Sequence, residues 1–294
     1  MKKRPRTTPS WCTILAAAVC VTSLTATSCS PTAPDPGDQN AALLADTSLE
    51  TVSGLPIVEL QVGGFEEPLT FVVDTGFDVS IIDAATAERL GLGAGTVRRE
   101  AQPGGAVDMA ALPPTTLRIG SLDIDDVALT TVPLGGMAAV LGRPFHGILG
   151  HDVLERFVVD LDYPAGRIRF SDPRAWQPPA GAEALEVEIR KGEPLADGTL
   201  ITSSGLEVPG LFKLDTGSLD VAGLNLNFVR DHGVVGPEDR ELRAGGVAVG
   251  GGTEGRLFRA GALVLGPRRL ERPLIGYTVD SAGFENREDA GTIG

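Results

Sequence analysis

The chain has 294 residues, enough for one large or two ordinary domains, and 42% of them are hydrophobic, as in a globular protein. Gly (38) and Pro (21) are abundant and long helical patterns are scarce, which favours short strands and turns. The first 28 residues hold Lys2, Lys3, Arg4, Arg6 and no acid; the remainder carries 21 basic and 39 acidic side chains, a net of −18. That charge argues against nucleic acid or an anionic surface as an electrostatic partner.

In chain order, Lys2 to Arg6 read as a basic n-region and Trp11 to Val21 as a short apolar h-region, too short to span a bilayer. Small residues follow, ending Ala26-Thr27-Ser28-Cys29. Residues 1–28 thus resemble a bacterial lipoprotein signal, with Cys29 the lipid attachment point. Cys12 and Cys20 lie inside the signal, so Cys29 is the only thiol left after cleavage and no disulfide forms within the mature chain. The expected location is the extracytoplasmic envelope, held to the membrane by a lipid anchor. Residues 29–50, beginning with Pro, Asp and Gly, read as a flexible tether.

LPIVELQV (55–62) alternates apolar and polar and ends at a Gly63-Gly64 turn. LTFVVD (69–74) is a more fully buried strand ending on Asp74, and SII (80–82) continues extended. Asp83 caps a short helix closed by Gly91. Residues 117–134 read as a hairpin or two strands, 151–157 as a short helix, and 157–170 as a hairpin turning at Pro164-Ala165-Gly166.

The chain then repeats itself. GFEEPLTFVVDTG (64–76) and GLEVPGLFKLDTG (205–217) are identical at 7 of 13 positions without a gap. Gly104-Gly105 follow Asp74 by 30 and 31 residues, and Gly245-Gly246 follow Asp215 by the same distances. GILG ends at Gly150, 76 residues after Asp74, and GTIG at Gly294, 79 after Asp215. The period is far too long for a solenoid, so the chain reads as two copies of one unit.

An apolar pair followed by Asp-Thr-Gly, present twice, resembles the active-site loops of aspartic peptidases of the pepsin and retropepsin kind. The resemblance covers most of 51–294 and includes Ile148-Leu149-Gly150. The run from Ile148 to Phe170 is most like the bacterial retropepsin-like branch. It implies a mainly β fold of two pseudo-repeated, β-barrel-like lobes with short helices, 51–178 and 179–294. The second lobe is expected to be C-terminally incomplete, because lobe 1 continues for about 20 residues beyond Gly150 and lobe 2 stops at Gly294. The resemblance further implies an endopeptidase with Asp74 and Asp215 as its dyad and Thr75, Gly76, Thr216, Gly217 and Ser218 supporting the loops. Gly-rich stretches 102–107 and 243–252 fall where the family has its flap, with Gly104, Gly105, Gly245 and Gly246 as candidates. The partner would be a peptide or protein in extended conformation; the oligomeric state stays open.

Chemistry gives these residues a reason. Two carboxylates in one site share a proton, so one can act as base on a water and the other as acid on a carbonyl oxygen. No metal or cofactor is required. Where lobe 2 has Ser218, lobe 1 has Phe77, which cannot donate a hydrogen bond. Two alternatives therefore stand beside catalysis: an inactive peptide-binding lipoprotein on the same scaffold, and a homodimer through lobe 1 alone. Other motifs fall away. VGGGTEG (249–255) contains GxGxxG without a following helix, and His146, His151 and His232 form no ligand cluster. Lys213, two residues before Asp215, reads as a solvated charge.

Overall fold

A computed structural model describes residues 42–93, 95–102, 104–279 and 288–294. Cys29 and the signal lie outside the described residues.

The first lobe runs through β1 (Leu43–Ser48), β2 (Glu50–Val52), β3 (Leu55–Val62), β4 (Leu69–Val73), β5 (Ile81–Asp83) and α1 (Ala84–Arg89). It continues with β6 (Val97–Gln102), β7 (Gly105–Ala111), β8 (Thr115–Ile119), β9 (Leu122–Val127), β10 (Thr130–Val132) and α2 (Gly135–Leu141). It ends with β11 (Gly147–Leu149), α3 (His151–Leu154), β12 (Val158–Asp162) and β13 (Arg167–Ser171). The second lobe comprises β14 (Glu188–Arg190), β15 (Glu193–Ile201), β16 (Glu207–Leu214), β17 (Ala222–Leu224) and α4 (Leu226–Asp231). After these come β18 (Leu242–Ala248), β19 (Gly251–Arg259), β20 (Ala262–Leu265), β21 (Arg268–Glu271), β22 (Leu274–Thr278) and β23 (Gly291–Ile293). The fold is mainly β, in two lobes. Residues 172–187, which join them, carry no helix or strand.

The sequence repeat is a repeat of topology. The lobe 1 sheet has the order β6-β7-β10-β5-β11-β4-β3-β8-β9 with β2 on β3. The lobe 2 sheet has the order β18-β19-β22-β17-β23-β16-β15-β20-β21 with β14 on β15, position for position the same. In each, the strand carrying the Asp lies in the middle: β11 runs parallel to β4, and β23 parallel to β16.

Local sequence explains why these segments fold so. Every residue of β4 is buried, with Leu69, Phe71 and Val73 in one cluster and Val72 in another, so its run is apolar without alternation. The Asp83 side chain accepts from Thr86 N at the start of α1, as its position in the sequence predicts.

One boundary differs from the sequence reading. Residues 43–48 are not part of a tether: they form β1, which pairs with β13 in a separate three-stranded sheet, β1-β13-β12. Ala45 and Leu49 are buried in the lobe 1 core beside Ile168 and Phe170, and Asp46 pairs with Arg167 at 2.8 Å. The alternation within ALLADTSL, hidden behind a Pro- and Gly-rich start, supplies the buried face.

Candidate active site

Asp74 and Asp215 stand one residue past the ends of β4 and β16. Each is held by the neighbouring parallel strand: Asp74 N donates to Leu149 O (3.0 Å) and Asp215 N to Ile293 O (2.8 Å). Each carboxylate accepts from the glycine of its own loop, Gly76 N to Asp74 Oδ1 at 2.8 Å and Gly217 N to Asp215 Oδ1 at 3.0 Å.

The two loops face each other. A Cβ built on Gly76 would lie 2.2 Å from Asp215 Cγ, and one on Gly217 would lie 2.2 Å from Asp74 Oδ2. No real side chain fits at such distances. Each glycine is therefore required by the opposite carboxylate, which comes from the other lobe.

The threonines lock this arrangement. Thr75 N donates to Thr216 Oγ1 and Thr216 N to Thr75 Oγ1, both at 3.1 Å. Thr75 Oγ1 donates to Leu214 O (2.8 Å), and Thr216 Oγ1 to Val73 O (2.7 Å). Four crossed bonds thus tie the end of β4 to the end of β16. Each hydroxyl both gives and accepts, so neither loop shifts without orphaning a polar group of the other.

Burial and mutual repulsion give the pair its electrostatics. Asp74 is only 8% exposed. Its carboxyl is raised from 3.8 to about 8, first by loss of water, then by the charge of Asp215 and a hydrogen bond with it. The Gly76 N–H and the Lys213 ammonium pull in the opposite direction. The proton belongs to the pair, which holds one where two isolated carboxyls would hold none at neutral pH.

The carboxylates lie in a cleft of about 970 Å³ whose lining includes Phe77, Met137, Leu219 and Leu224. Two hairpins, β6–β7 and β18–β19, also line it, and their tips meet: a Cβ on Gly104 would touch Gly251 O (2.5 Å), and one on Gly105 would touch Gly250 O (2.8 Å). Gly104 and Gly105 have φ of 86° and 148°, which suits glycine. Val249, at the tip of the second hairpin, packs against the lobe 1 cluster that also holds Met137 and Leu141.

The structure brings together Asp74, Thr75, Gly76, Asp215, Thr216 and Gly217, and puts Gly104 and Gly105 at a hairpin tip. Gly245 and Gly246 are not at the corresponding tip. They pair with Glu254 and Thr253 inside the β18–β19 ladder, because this hairpin is longer than its lobe 1 counterpart. The Ser218 hydroxyl accepts from Asp220 N (3.3 Å), shaping its own turn. Phe77 packs against the apolar cluster of Ile57, Val72 and Ile148, and its carbonyl accepts from His151 N (2.8 Å).

Lys213 is not the solvated charge that its residue type suggests. Its side chain is 12% exposed, and Nζ lies 3.0 Å from Asp215 Oδ2 and 3.7 Å from Glu193 Oε1. It also donates to Gly76 O across the lobe boundary (3.3 Å). Period-two alternation was the available signal, since residues 213 and 215 share a face. Glu193 comes from the adjacent strand and carries no signal in the sequence.

Comparison with known proteins agrees with this geometry. Residues 58–153 match the aspartyl protease family model. Among solved structures, the chain is similar to a retropepsin-like aspartic protease from Rickettsia conorii, at 15% identity and a TM-score of 0.31, over 44% of this chain and 91% of that one. No curated protein matches. Through residues 58–153, with the Asp-Thr-Gly loop at their centre, the chain belongs to the retropepsin-like aspartic peptidase family.

Proposed function

We propose that the protein is an aspartic endopeptidase whose dyad, Asp74 and Asp215, is assembled from the two lobes of one chain. The observation that carries this reading is the reciprocal seating of each loop glycine against the opposite carboxylate, locked by the Thr75–Thr216 exchange. The ionised carboxylate takes a proton from a water molecule as its oxygen attacks the scissile carbonyl carbon. The protonated carboxyl gives its proton to the carbonyl oxygen, forming a tetrahedral diol. Collapse of the diol breaks the C–N bond, a proton passes to the leaving amine, and the dyad returns to one shared proton.

An extended peptide suits the cleft, since two hairpins above it offer backbone groups for pairing. Opening of the Gly104–Gly251 contact would admit it. Export, with anchoring through Cys29, belongs to the same proposal and rests on the basic, apolar and small-residue order of residues 1–29.

The test is cleavage of a peptide library between pH 4 and 8, with termini mapped. We expect internal bonds to be cut by the wild type and not by Asp74→Asn. A wild type that binds peptides but cuts none would leave the non-catalytic reading in its place.

A further inference from the structure

The two lobes match around the dyad except at one pair of positions. Superposing the repeats puts Lys213 where lobe 1 has Val72, both two residues before the Asp. The registers Ile57↔Val72 and Leu195↔Lys213 then put Glu193 where lobe 1 has Leu55. Lobe 1 thus packs an apolar pair beneath its carboxylate, with Leu55 and Val72 both buried, and lobe 2 packs a charged pair there. Asp215 has an ammonium 3.0 Å from its Oδ2, whereas Val72 offers Asp74 no charge at all.

We propose that Lys213 is a positioning residue that makes the dyad asymmetric, holding the shared negative charge on Asp215 and leaving the shared proton on Asp74. This inference rests on the peptidase reading above. A nearly buried ammonium is tolerated only when its donors are satisfied. Here they meet Asp215, Glu193 and the Gly76 carbonyl, and two of these three are anionic. Glu193 restrains Lys213 from behind, so the ammonium bridges its own lobe to the loop of the other.

Other charges near this point are fewer than the bulk acidity suggests. Asp74 faces Lys213 across the dyad. Asp78 abuts Gly192, in the turn between Lys191 and Glu193, and Lys191 and Asp220 line the same cleft. The neighbouring β23 contributes Thr292 opposite Lys213, an uncharged residue.

Two consequences follow. Roles become fixed: Asp215 serves as base and Asp74 as acid, where a symmetric pair leaves them interchangeable. The pH window moves too, because a cation beside the pair favours each loss of a proton, so both limbs of the activity profile lie lower than they would without it.

The experiment is the pH dependence of kcat/KM for the full chain and three variants. Lys213→Met removes the charge. Lys213→Arg keeps it. Lys213→Val with Glu193→Leu copies the apolar pair of lobe 1 and leaves no unpaired acid behind. We expect both limbs to move to higher pH by roughly one to three pH units in the Met and double variants, and to stay near wild type in Arg. Limbs that stay put while the rate alone falls would overturn the inference and leave Lys213 a packing residue. Absence of Asp74-dependent cleavage in the wild type would instead count against the peptidase reading itself.

Discussion

Replacing Asp74 with Asn should make the protein more stable at neutral and mildly alkaline pH, not less. The Asp74 carboxyl is raised from 3.8 to about 8, chiefly by burial and by Asp215. Between those pH values the folded chain holds a proton that the unfolded chain has released. Stability therefore falls as pH rises through this window; the penalty is absent below about pH 4 and complete above about pH 8. Each pKa unit corresponds to about 1.4 kcal/mol, so the penalty is on the order of 5 kcal/mol. Asn keeps the shape, still accepts from Gly76 N and still offers an N–H toward Asp215, but it does not titrate. Urea unfolding at several pH values from 4 to 8 measures the difference directly. Wild type minus Asn should grow steadily more unfavourable with pH, cancelling contributions from distant groups. Parallel curves for the two proteins would refute the burial and pairing of this carboxyl.

The remaining predictions concern the loops and the N-terminus. Thr75→Val and Thr216→Val each remove one hydroxyl that gives one bond and accepts another, and each should cost roughly 1–3 kcal/mol in urea unfolding. Because the two hydroxyls lock one another, the double variant should cost less than the sum of the singles, as read in a double-mutant cycle. Gly76→Ala puts a methyl group 2.2 Å from Asp215 Cγ; we expect loss of turnover by about a hundredfold or more with strand content by circular dichroism retained. Cys29→Ser should shift the protein from the membrane fraction to the soluble extracytoplasmic fraction, as read by fractionation and blotting.

Much of this fold was legible because the chain states it twice. The buried strand ending in Asp74 and its copy ending in Asp215 each predict the same local structure, and the matching sheet orders follow from that duplication. The features that escaped depend on register or on length. Equal spacing from the two Asp residues leads to Gly245 and Gly246, but β18 and β19 extend further, and the tip falls after Ala248. Composition at residues 31–40 masks the alternation of β1, which becomes visible only when β13 lies beside it.

Lys213 shows the limit most clearly. Charge alone argues for water, and strand alternation argues for the face of Asp215. Only the pairing of β15 with β16 brings Glu193 near enough to settle the ammonium there. The exchange between Thr75 and Thr216 likewise joins residues 141 positions apart, which follows from the family resemblance and not from local chemistry.

The central claim is that the second carboxylate of the site comes from this chain's own second lobe. Peptide cleavage by the Asp215→Asn variant, at matched concentration and across pH 4 to 8, tests it most directly. The account predicts that kcat/KM falls about a thousandfold or more while Asp74, Thr75 and the fold remain in place. Turnover near the wild-type level would contradict it, and would assign the partner of Asp74 to a second copy of lobe 1.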